Sequence, residues 1–364
     1  MKAAITPAVG EKFVVRDDVV LDEPGPQEVL VQVRASSLCH SDISVAEDSV
    51  GFPMPALLGH EIAGDVVAVG ARVRDFAVGD PVVACGITVC GHCTACRSGR
   101  PYQCEFPHEV GRAPEDGPRV RTDEGELFQF MGIGGFAEQV LVHENQLVAV
   151  SPDIPYDKAC LLGCGVVTGA GAAINTAQVR PGQTVAVIGC GGVGLNVIQG
   201  AAMAGARRIV AVDLQPVKLE LARAFGATDV VNPAETDPVE AVRDVTGGGV
   251  NSAFEVIGLT GTAVQALNMC RTGGTAYLIG VQKPAAKLDF QIFEDLILPQ
   301  KGLRGVSMGS TNPRVDIPYY AESYLQGRLM LDELVSQHIR LDEVNDAYDL
   351  LKEGAVARSV ITAF

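Results

Sequence analysis

The sequence predicts an α/β protein with two domains, a largely antiparallel, barrel-like β domain and a doubly wound parallel sheet of six strands. In the N-terminal third, short β-like stretches are broken by Gly and Pro, with few helical patterns between them. From about residue 180, short apolar runs alternate with segments of helical composition, which is typical of a parallel sheet covered by helices. The length of 364 residues allows two cores, since single cores stop growing near ~250–300 residues.

The β-like stretches of the first domain include residues 29–33, 62–69 and 80–84. Between Cys104 and Phe136 the chain is polar and rich in charge, without clear periodicity. We interpret this segment as a long surface loop.

The apolar runs of the second domain predict six strands, at residues 184–189, 208–213, 229–232, 252–258, 275–280 and 303–307. A helix is predicted over 193–205, directly after the first of them. The last segment contains helix candidates at 314–327 and 342–353 and a β-like end at 359–364. We therefore predict domains over 1–165 and 166–307, with residues 308–364 returning to the first domain.

Composition excludes several classes of function. The net charge of −16 repels nucleic acid phosphates and anionic lipid. The N-terminus has no apolar signal-peptide region, and no run approaches the ~20 apolar residues that cross a bilayer. We expect a cytoplasmic protein that binds a small molecule and neither nucleic acid nor membrane.

Four of the ten cysteines lie close together in the spacing Cys90-x2-Cys93-x2-Cys96-x7-Cys104. Clustered cysteines in a reducing compartment are more often metal ligands than disulfides. Four thiolates with no open position make a closed tetrahedral zinc site, so we predict a structural zinc in the loop 85–105. Disulfides and an iron–sulfur cluster are the alternatives.

A glycine-rich turn closes the first apolar run of the second domain, in the order Gly189, Cys190, Gly191, Gly192, Val193, Gly194. This G-x-G-x-x-G pattern between a strand and a helix predicts a Rossmann-type dinucleotide site, with the pyrophosphate at the helix N-terminus. Asp213 ends the next strand, where a carboxylate accepts both ribose hydroxyls and repels a 2′-phosphate. No Arg occurs at 214–216, although Lys218 could lie near the ribose edge, and we favour NAD over NADP.

Further metal-donor residues are dispersed along the chain, in Cys39-His40-Ser41-Asp42, in Gly59-His60-Glu61 and at Cys164. A catalytic zinc needs three protein ligands and one open position, for which cysteine and histidine are suitable donors. Taken singly, each residue also fits a structural interpretation, as a small buried thiol or as a hydrogen-bonded core histidine.

Taken together, these dispersed residues, the four-cysteine loop and the glycine turn resemble the zinc-dependent medium-chain alcohol dehydrogenases. The resemblance covers essentially the whole chain, in the family's order and close to its spacing. The long segment 105–135 is similar to that of the liver-type enzymes and the thiol-dependent formaldehyde dehydrogenases, and 161–194 looks closest to the latter. The family implies a GroES-like β-barrel catalytic domain over 1–165 and an NAD-binding Rossmann domain over 166–307.

The resemblance implies a role for each dispersed residue. The ligands of the catalytic zinc would be Cys39, His60 and Cys164. Glu61 would be the carboxylate that can approach the metal, and Asp42 would hydrogen-bond the ligating histidine. Ser41 would pass on the alcohol proton.

The resemblance also implies cofactor contacts. His40 and Arg358 would contact the pyrophosphate, and Thr168 and Val193 would press on the nicotinamide ring.

Two positions depart from the family pattern. Ser44 stands where an outer histidine normally receives the proton, and serine is no base near pH 7. Gly86 stands where liver-type enzymes often have a bulky aromatic, which suggests room for a larger or aryl substrate.

The function that the resemblance implies is interconversion of a primary alcohol, with room for an aryl or other bulky group, and its aldehyde by hydride transfer to and from NAD. Each subunit of an expected homodimer would hold two zinc ions. One alternative is a formaldehyde dehydrogenase that acts on a mycothiol or glutathione adduct. The other is a catalytically silent structural or redox-sensing relative, which the intact set of metal donors disfavours.

Overall fold

A computed structural model describes residues 1–48, 51–354 and 357–364, and the chain within it folds as two units. The first unit consists of Met1–Gly165 and Asn312–Phe364, and the second of Val166–Thr311. In chain order, the strands are β1 (Ala3–Thr6), β2 (Val14–Arg16), β3 (Val20–Leu21), β4 (Glu28–Ser37), β5 (Ala56–Leu57), β6 (Glu61–Val69), β7 (Pro81–Ala84), β8 (Val120–Thr122), β9 (Gly125–Glu126), β10 (Phe128–Gln129), β11 (Gln139–His143), β12 (Leu147–Ala149), β13 (Thr184–Ile188), β14 (Arg208–Val212), β15 (Asp229–Val231), β16 (Val250–Glu255), β17 (Cys270–Leu278), β18 (Gly302–Gly305), β19 (Val335–Arg340) and β20 (Arg358–Ala363). The helices are α1 (His40–Asp48), α2 (Thr94–Arg97), α3 (Tyr156–Ala159), α4 (Gly165–Gly171), α5 (Gly192–Met203), α6 (Pro216–Ala224), α7 (Pro238–Thr246), α8 (Thr260–Met269), α9 (Pro313–Leu325) and α10 (Val344–Lys352).

The first unit is built on a seven-stranded sheet in the order β12-β7-β6-β4-β20-β19, with β11 also paired to β4. Most pairs are antiparallel, as predicted, whereas β19 and β20 run parallel. Val29, Val31 and Val33 alternate along β4 and share one core with Ile62 and Val66 of β6. A four-stranded sheet (β10-β5-β1-β2) and a three-stranded sheet (β3-β8-β9) complete the described strands of this unit.

The segment between Cys104 and Phe136 differs from the predicted surface loop. It contains the short strands β8, β9 and β10, and it buries the side chains of Val110, Val120, Leu127, Phe130 and Ile133. Two of its arginines provide a physical reason. Arg112 Nη2 and Arg119 Nε each lie 2.6 Å from a carboxylate oxygen of Glu28 on β4, so the segment is tied to the β domain by buried ion pairs.

The second unit contains the predicted six-stranded parallel sheet, in the order β15-β14-β13-β16-β17-β18. All five residues of β13 are buried, which explains why the four after Thr184 are apolar. The chain crosses to the other half of the sheet between β15 and β16, so β13 and β16 flank the point where the strand order reverses.

The final residues, 312–364, belong to the first unit, which contains α9, α10, β19 and β20. Residues 308–311, which we placed in the returning segment, pack within the second unit instead. Thr311 Oγ1 donates to the carbonyl of Val167, 3.2 Å away, and Gly309 packs so closely that a Cβ there would lie 2.0 Å from the same oxygen.

Among the described residues, no single helix is both long and apolar enough to span a membrane. One bent pair of short helical segments, Tyr156–Gly163 and Gly165–Thr176, meets the length and composition requirements when its two members are combined.

Candidate functional site

Four metal-donor side chains from three separate segments meet in the first unit. Cys39 follows β4, His60 and Glu61 lie at the start of β6, and Cys164 follows the turn before α4. All four are buried, and their donor atoms lie within 4.8 Å of one another. His60 Nε2 and Cys164 Sγ are 3.3 Å apart. Two thiols, an imidazole and a carboxylate suit zinc, so the residues predicted as catalytic ligands could hold this metal.

Asp42, in the first turn of α1, orients the ring of His60. Its Oδ1 lies 3.0 Å from His60 Nδ1 and also accepts a hydrogen bond from the Gly59 amide, 3.0 Å away. Its Oδ2 accepts a weaker bond from the Cys39 amide at 3.3 Å. With Nδ1 directed at Asp42, Nε2 is left for the metal, which is the arrangement of a ligating histidine.

A buried ion pair lies beside the metal donors. Arg358 Nε is 3.3 Å from Glu61 Oε2, and Nη2 is 3.4 Å from Oε1. Burial raises the pKa of Glu61 to about 7, although the positive charge of Arg358 opposes that shift. The structure therefore places Arg358, predicted as a cofactor phosphate contact, against a carboxylate of the first unit.

Ser41 and Ser44 of α1 have different environments. Ser41 Oγ lies 3.1 Å from Cys39 Sγ, beside the metal donors. Ser44 Oγ donates to the carbonyl of His40 at 3.2 Å, so its hydroxyl is used within the helix. The His40 side chain is exposed.

Aromatic rings border His60. Phe130 contacts the imidazole edge-on, with ring centroids 5.4 Å apart. Phe52 contacts Phe130 edge-on at 5.2 Å and stacks on Phe128 at 5.6 Å. Pattern analysis missed this aromatic wall because its members come from two distant segments without a shared motif.

The space beside Gly86, which we expected to be open, is filled by a side chain. A Cβ atom on residue 86 would lie 2.5 Å from Cε of Met131. Met131 reaches this position from a left-handed backbone conformation with φ of 52°, and its carbonyl accepts a hydrogen bond from Gln146 Nε2 at 2.8 Å.

The four clustered cysteines lie around α2 with their Sγ atoms within 4.8 Å of one another. Backbone amides point at three of the sulfurs: the amide of Cys93 bonds Cys90, that of Cys96 bonds Cys93, and that of Cys90 bonds Cys104, at 3.3–3.4 Å. Backbone hydrogen bonds from Glu105 and Cys96 lower the pKa of Cys93 to about 6. All ten cysteines of the chain are described and free, so the disulfide alternative is wrong. The cluster fits a closed zinc site.

The glycine turn joins β13 to α5 in the second unit. Gly189 has φ of +98°, which side-chain-bearing residues rarely adopt. A Cβ on Gly194 would lie 1.8 Å from the carbonyl oxygen of Gly189, so the helix approaches the strand end very closely. A Cβ on Gly191 would meet nothing within 4 Å, which leaves room for a ligand at the helix N-terminus, where Gly192 and Val193 begin α5.

Asp213 follows β14 at the same edge of the sheet. Its Oδ2 accepts from the amide of Cys190 at 2.8 Å, and its Oδ1 accepts from that of Gln215 at 2.9 Å. The carboxylate is thus fixed beside the glycine turn, with acceptor capacity left on both oxygens. Lys218 lies in the first turn of α6, five residues after Asp213, and its side chain is partly buried.

The two residues predicted to touch the nicotinamide lie on neighbouring helices of the second unit. Thr168 is on α4, where its Oγ1 lies 3.7 Å from Met308 Sδ. Val193 is on α5, and a Cβ on Gly169 of α4 would lie 2.4 Å from its carbonyl oxygen. The backbones of α4 and α5 are therefore in close contact beside Thr168 and Val193.

Two family models match the chain. Residues 25–153 match the alcohol dehydrogenase GroES-like domain, and residues 192–323 match the zinc-binding dehydrogenase domain. The first match falls within the β unit, and the second begins inside the glycine turn.

Curated relatives are similar over nearly the whole chain. An S-(hydroxymethyl)glutathione dehydrogenase from Escherichia coli is 37% identical, with 99% of both chains covered. Alcohol dehydrogenase-like 6 from Arabidopsis thaliana is 36% identical over 99% of this chain and 94% of its own.

Solved structures are also similar over nearly the whole chain. An alcohol dehydrogenase zinc-binding domain protein from Burkholderia ambifaria has a TM-score of 0.94 at 36% identity, covering 100% of this chain and 98% of its own. Benzyl alcohol dehydrogenase from Acinetobacter calcoaceticus has a TM-score of 0.93 at 34% identity, covering 100% and 99%. A zinc-binding dehydrogenase from Sinorhizobium meliloti, bound to NADP, has a TM-score of 0.82 at 28% identity, covering 99% and 98%.

These matches and the cysteine cluster agree on zinc and a nicotinamide as the cofactors of an oxidoreductase. The alternative of a catalytically silent relative is set aside. With both domain models and relatives above 30% identity over its whole length, the chain belongs to the zinc-dependent medium-chain alcohol dehydrogenases.

Proposed function

We propose that the protein interconverts a primary aryl alcohol and its aldehyde, with hydride transfer to and from NAD. The observation that carries the proposal is the set of Cys39, His60 and Cys164, which lies beside Ser41 and an aromatic wall. The donors account for activation of a hydroxyl, and the wall accounts for the aryl group.

A zinc ion held by Cys39, His60 and Cys164 would supply Lewis acidity to the oxygen of the alcohol. Asp42 keeps the His60 ring in place by bonding Nδ1. Ser41, next to Cys39, accepts the hydrogen bond of the substrate hydroxyl and passes its proton outward. Ser44 is not the next acceptor, because its hydroxyl already donates to a helix carbonyl and has no basic nitrogen. The group that receives the proton from Ser41 is therefore not the side chain of Ser44.

Asp213 supports NAD over NADP. Its carboxylate is fixed by two backbone amides and keeps free lone pairs for the two ribose hydroxyls. The same negative charge would repel a 2′-phosphate, and the next three residues are Leu, Gln and Pro, with no guanidinium to receive it. The Sinorhizobium meliloti neighbour with bound NADP makes this preference worth measuring directly.

The aromatic wall supports an aryl substrate. The ring of Phe130 packs against His60. The ring of Phe52, which is 38% exposed, contacts Phe130 and continues the aromatic wall to the protein surface. Edge-to-face and offset contacts with such rings stabilise a bound aryl group by roughly 0.5–1.5 kcal/mol each. Similarity to a benzyl alcohol dehydrogenase agrees with this choice.

The second candidate is a thiol-adduct formaldehyde dehydrogenase. It is favoured by the Escherichia coli relative, an S-(hydroxymethyl)glutathione dehydrogenase of 37% identity. A glutathione or mycothiol adduct of formaldehyde is also a primary alcohol, so the same metal donors and Ser41 would act on it.

A homodimer is part of the proposal, and one surface of the second unit supports it. The helical segment Ile292–Ile297 and the residue after it expose large apolar side chains: Ile292 (61%), Phe293 (61%), Ile297 (58%) and Leu298 (67%). This segment precedes β18, the last described strand of the parallel sheet on that side. Contiguous apolar exposure next to a sheet edge is typical of an interface between subunits.

A substrate panel tests the proposal. NAD reduction is measured with benzyl alcohol, ethanol and octanol, and with formaldehyde alone, with glutathione and with mycothiol. We expect kcat/KM for benzyl alcohol to exceed that for ethanol by about 10²-fold, which is about 2.7 kcal/mol. Formaldehyde turnover that requires a thiol and exceeds benzyl alcohol turnover would favour the second candidate. Full activity in protein shown to be free of zinc would contradict both.

A further inference from the structure

Glu255 ends β16 at the carboxyl edge of the parallel sheet. It pairs with Ile188 of β13 on one side and with Leu278 of β17 on the other. The strand order reverses between β13 and β16, and open α/β sheets bind their ligands in the crevice at this point. Glu255 is nevertheless fully buried, with 0% exposure, so it lies beneath the crevice rather than in it.

The carboxylate of Glu255 holds the turn that follows β16. Its Oε1 accepts hydrogen bonds from the amides of Ile257 at 2.9 Å and Gly258 at 2.8 Å. The hydroxyl of Thr262, in the first turn of α8, donates to the same oxygen at 2.8 Å. One side-chain oxygen therefore fixes the turn and the start of the helix after it.

The backbone carbonyl of Glu255 holds the turn that follows β17. It accepts from the amide of Ile279 at 2.8 Å and from that of Gly280 at 3.1 Å. The two turns also touch each other, because a Cβ on Gly280 would lie 2.1 Å from the nitrogen of Gly258. Four backbone amides from two turns thus converge on one residue.

The turn held by Glu255 borders the glycine turn. A Cβ on Gly189 would lie 2.8 Å from Cγ1 of Ile257. The side chains of Ile257, Leu259 and Val281 are exposed, so both turns present apolar side chains outward at this edge. They form one wall of the crevice whose other wall is the glycine turn.

Burial of this carboxylate is costly. Its Oε2 has no hydrogen-bond partner among the described residues, and an unpartnered buried oxygen lowers the stability of the fold. An apolar side chain would avoid that cost but would release the amides of Ile257 and Gly258. The carboxylate is therefore explained by the turn after β16, which its Oε1 holds and which in turn contacts the turn after β17.

We propose that Glu255 is a positioning residue for the nicotinamide cofactor, acting through the two turns and not by touching the cofactor. The inference rests on the proposed function, since it takes the edge at Gly189 and Asp213 as the cofactor site. Loss of the carboxylate loosens the wall opposite the glycine turn and weakens cofactor binding.

Calorimetric titration of NADH and NAD into the full zinc-replete chain tests this inference. For Glu255→Ala we expect Kd for NADH to rise about tenfold or more, equivalent to about 1.4 kcal/mol. KM for NAD should rise similarly while kcat changes less than about threefold. Glu255→Gln keeps an oxygen that can accept both amides, so its Kd should stay within about threefold of the wild type.

Asp237→Ala is the matched control. Asp237 also accepts two backbone amides in the second unit, those of Val239 and Glu240 at 2.9 Å, but it does so at the start of α7. Its loss should lower the melting temperature without changing Kd. Should Glu255→Ala not fold, Glu255→Asp serves instead, since its shorter side chain cannot reach both amides.

Two results overturn the inference. One is an unchanged Kd for NADH in Glu255→Ala, or in Glu255→Asp where that variant replaces it. The other is a rise in Kd for NADH in Asp237→Ala as large as that in the Glu255 variant. Failure of the wild type to bind NADH or NADPH would instead contradict the proposed function.

Discussion

Met131 closes the space above Gly86, with Cε 2.5 Å and Sδ 2.9 Å from where a Cβ of residue 86 would lie. Met131 directly follows Phe130, whose ring borders His60. The volume near the metal donors on this side is therefore set by an unbranched, flexible thioether instead of by the backbone at residue 86.

Met131→Ala should widen substrate preference. Removing the thioether leaves space above Gly86 for a ring substituent. One methylene group more or less in an apolar pocket changes the discrimination between substrates by about 1–3 kcal/mol. We expect kcat/KM for a bulky substituted benzyl alcohol to rise about tenfold relative to benzyl alcohol. Met203→Ala, which truncates a half-buried methionine of α5, is the control and should leave this ratio unchanged. An unchanged ratio in Met131→Ala would show that the aryl group binds elsewhere.

The two cysteine sites should respond differently to loss of one ligand. Cys164→Ala removes a donor beside His60, so turnover should fall by about 10³-fold or more while the fold persists. Cys93→Ala opens the four-cysteine loop, whose metal would contribute to folding, and should lower Tm by about 5 °C or more.

Zinc content, Tm and turnover, measured on the same samples, separate the two variants. Each should contain about one zinc fewer per chain than the wild type. If Cys164→Ala mainly lost stability and Cys93→Ala mainly lost turnover, the assignment of the two sites would be reversed.

Asp213→Ser should move cofactor preference toward NADP. It removes the negative charge that is fixed by the amides of Cys190 and Gln215 and would face the 2′ position. We expect the ratio of kcat/KM for NADP to that for NAD to rise about 10–100-fold, the effect of one partly exposed charge. Glu220→Gln removes an exposed negative charge from α6 and should leave the ratio within about twofold. A similar rise of this ratio in Asp213→Ser and Glu220→Gln would mean that cofactor preference depends on the overall charge of the protein and not on the position of Asp213.

Acid should destabilise the ion pairs of Glu28. Burial acts to raise the pKa of Glu28, but hydrogen bonds from Arg112 and Arg119 outweigh it and hold the pKa at about 2. Because the folded pKa lies below the unfolded value, the stabilisation is complete above pH ~4.5 and is lost as the pH falls toward 2. Glu28→Gln should therefore lower the free energy of unfolding by about 3 kcal/mol at pH 7, and the difference from wild type should shrink below pH 4.5.

Urea unfolding at pH 7, 5 and 3.5 measures this effect. Glu124→Gln is the control, because Glu124 pairs with Arg16 at 74% exposure, where an ion pair contributes at most ~1 kcal/mol. If the free energy of unfolding of Glu28→Gln were lower than that of the wild type by the same amount at every pH, the ionised carboxylate of Glu28 could not be the source of the difference.

Phe293→Glu should separate the proposed dimer. It places a charge in the apolar surface of the second unit, so light scattering after gel filtration should give the mass of one chain, 38.1 kDa. Val315→Glu is matched in exposure, since Phe293 and Val315 are both 61% exposed. It lies on α9 in the first unit and should leave the mass at two chains. A wild type that already has the mass of one chain would contradict the dimer.

Much of the fold could be predicted from local pattern. The six strands of the parallel sheet were predicted correctly, and the clearest were those buried on both faces, such as β13, where four of five residues are apolar. The metal-binding character of Cys90, Cys93, Cys96 and Cys104 follows from spacing, since one short loop brings their sulfurs together. Local pattern alone could not unite Cys39, His60 and Cys164, because distant strands bring them together, and only the family resemblance did so.

Predictions were wrong where a position depends on contacts with distant residues. Gly86 is small, but its neighbouring volume is taken by Met131. The segment after Cys104 shows no periodic apolar pattern. Its position is nevertheless fixed by hydrogen bonds from Arg112 and Arg119 to the carboxylate of Glu28, which precedes them by more than eighty residues. Glu255 belongs to no motif because most of its partners are backbone amides, which any sequence provides. The cytoplasmic location stays a prediction.

The ion pairs of Glu28 also constrain how this branch of the family can change. Glu28 is buried in β4 and its charge is compensated by two arginines that both lie in the segment after Cys104. A descendant that shortened this segment would keep a buried carboxylate without a counter-charge, at a cost of about 3–5 kcal/mol. Across homologous chains, the length of the segment and the residue at position 28 should therefore be inherited together. A sequence that combines a short segment with an acid at this position should be rare.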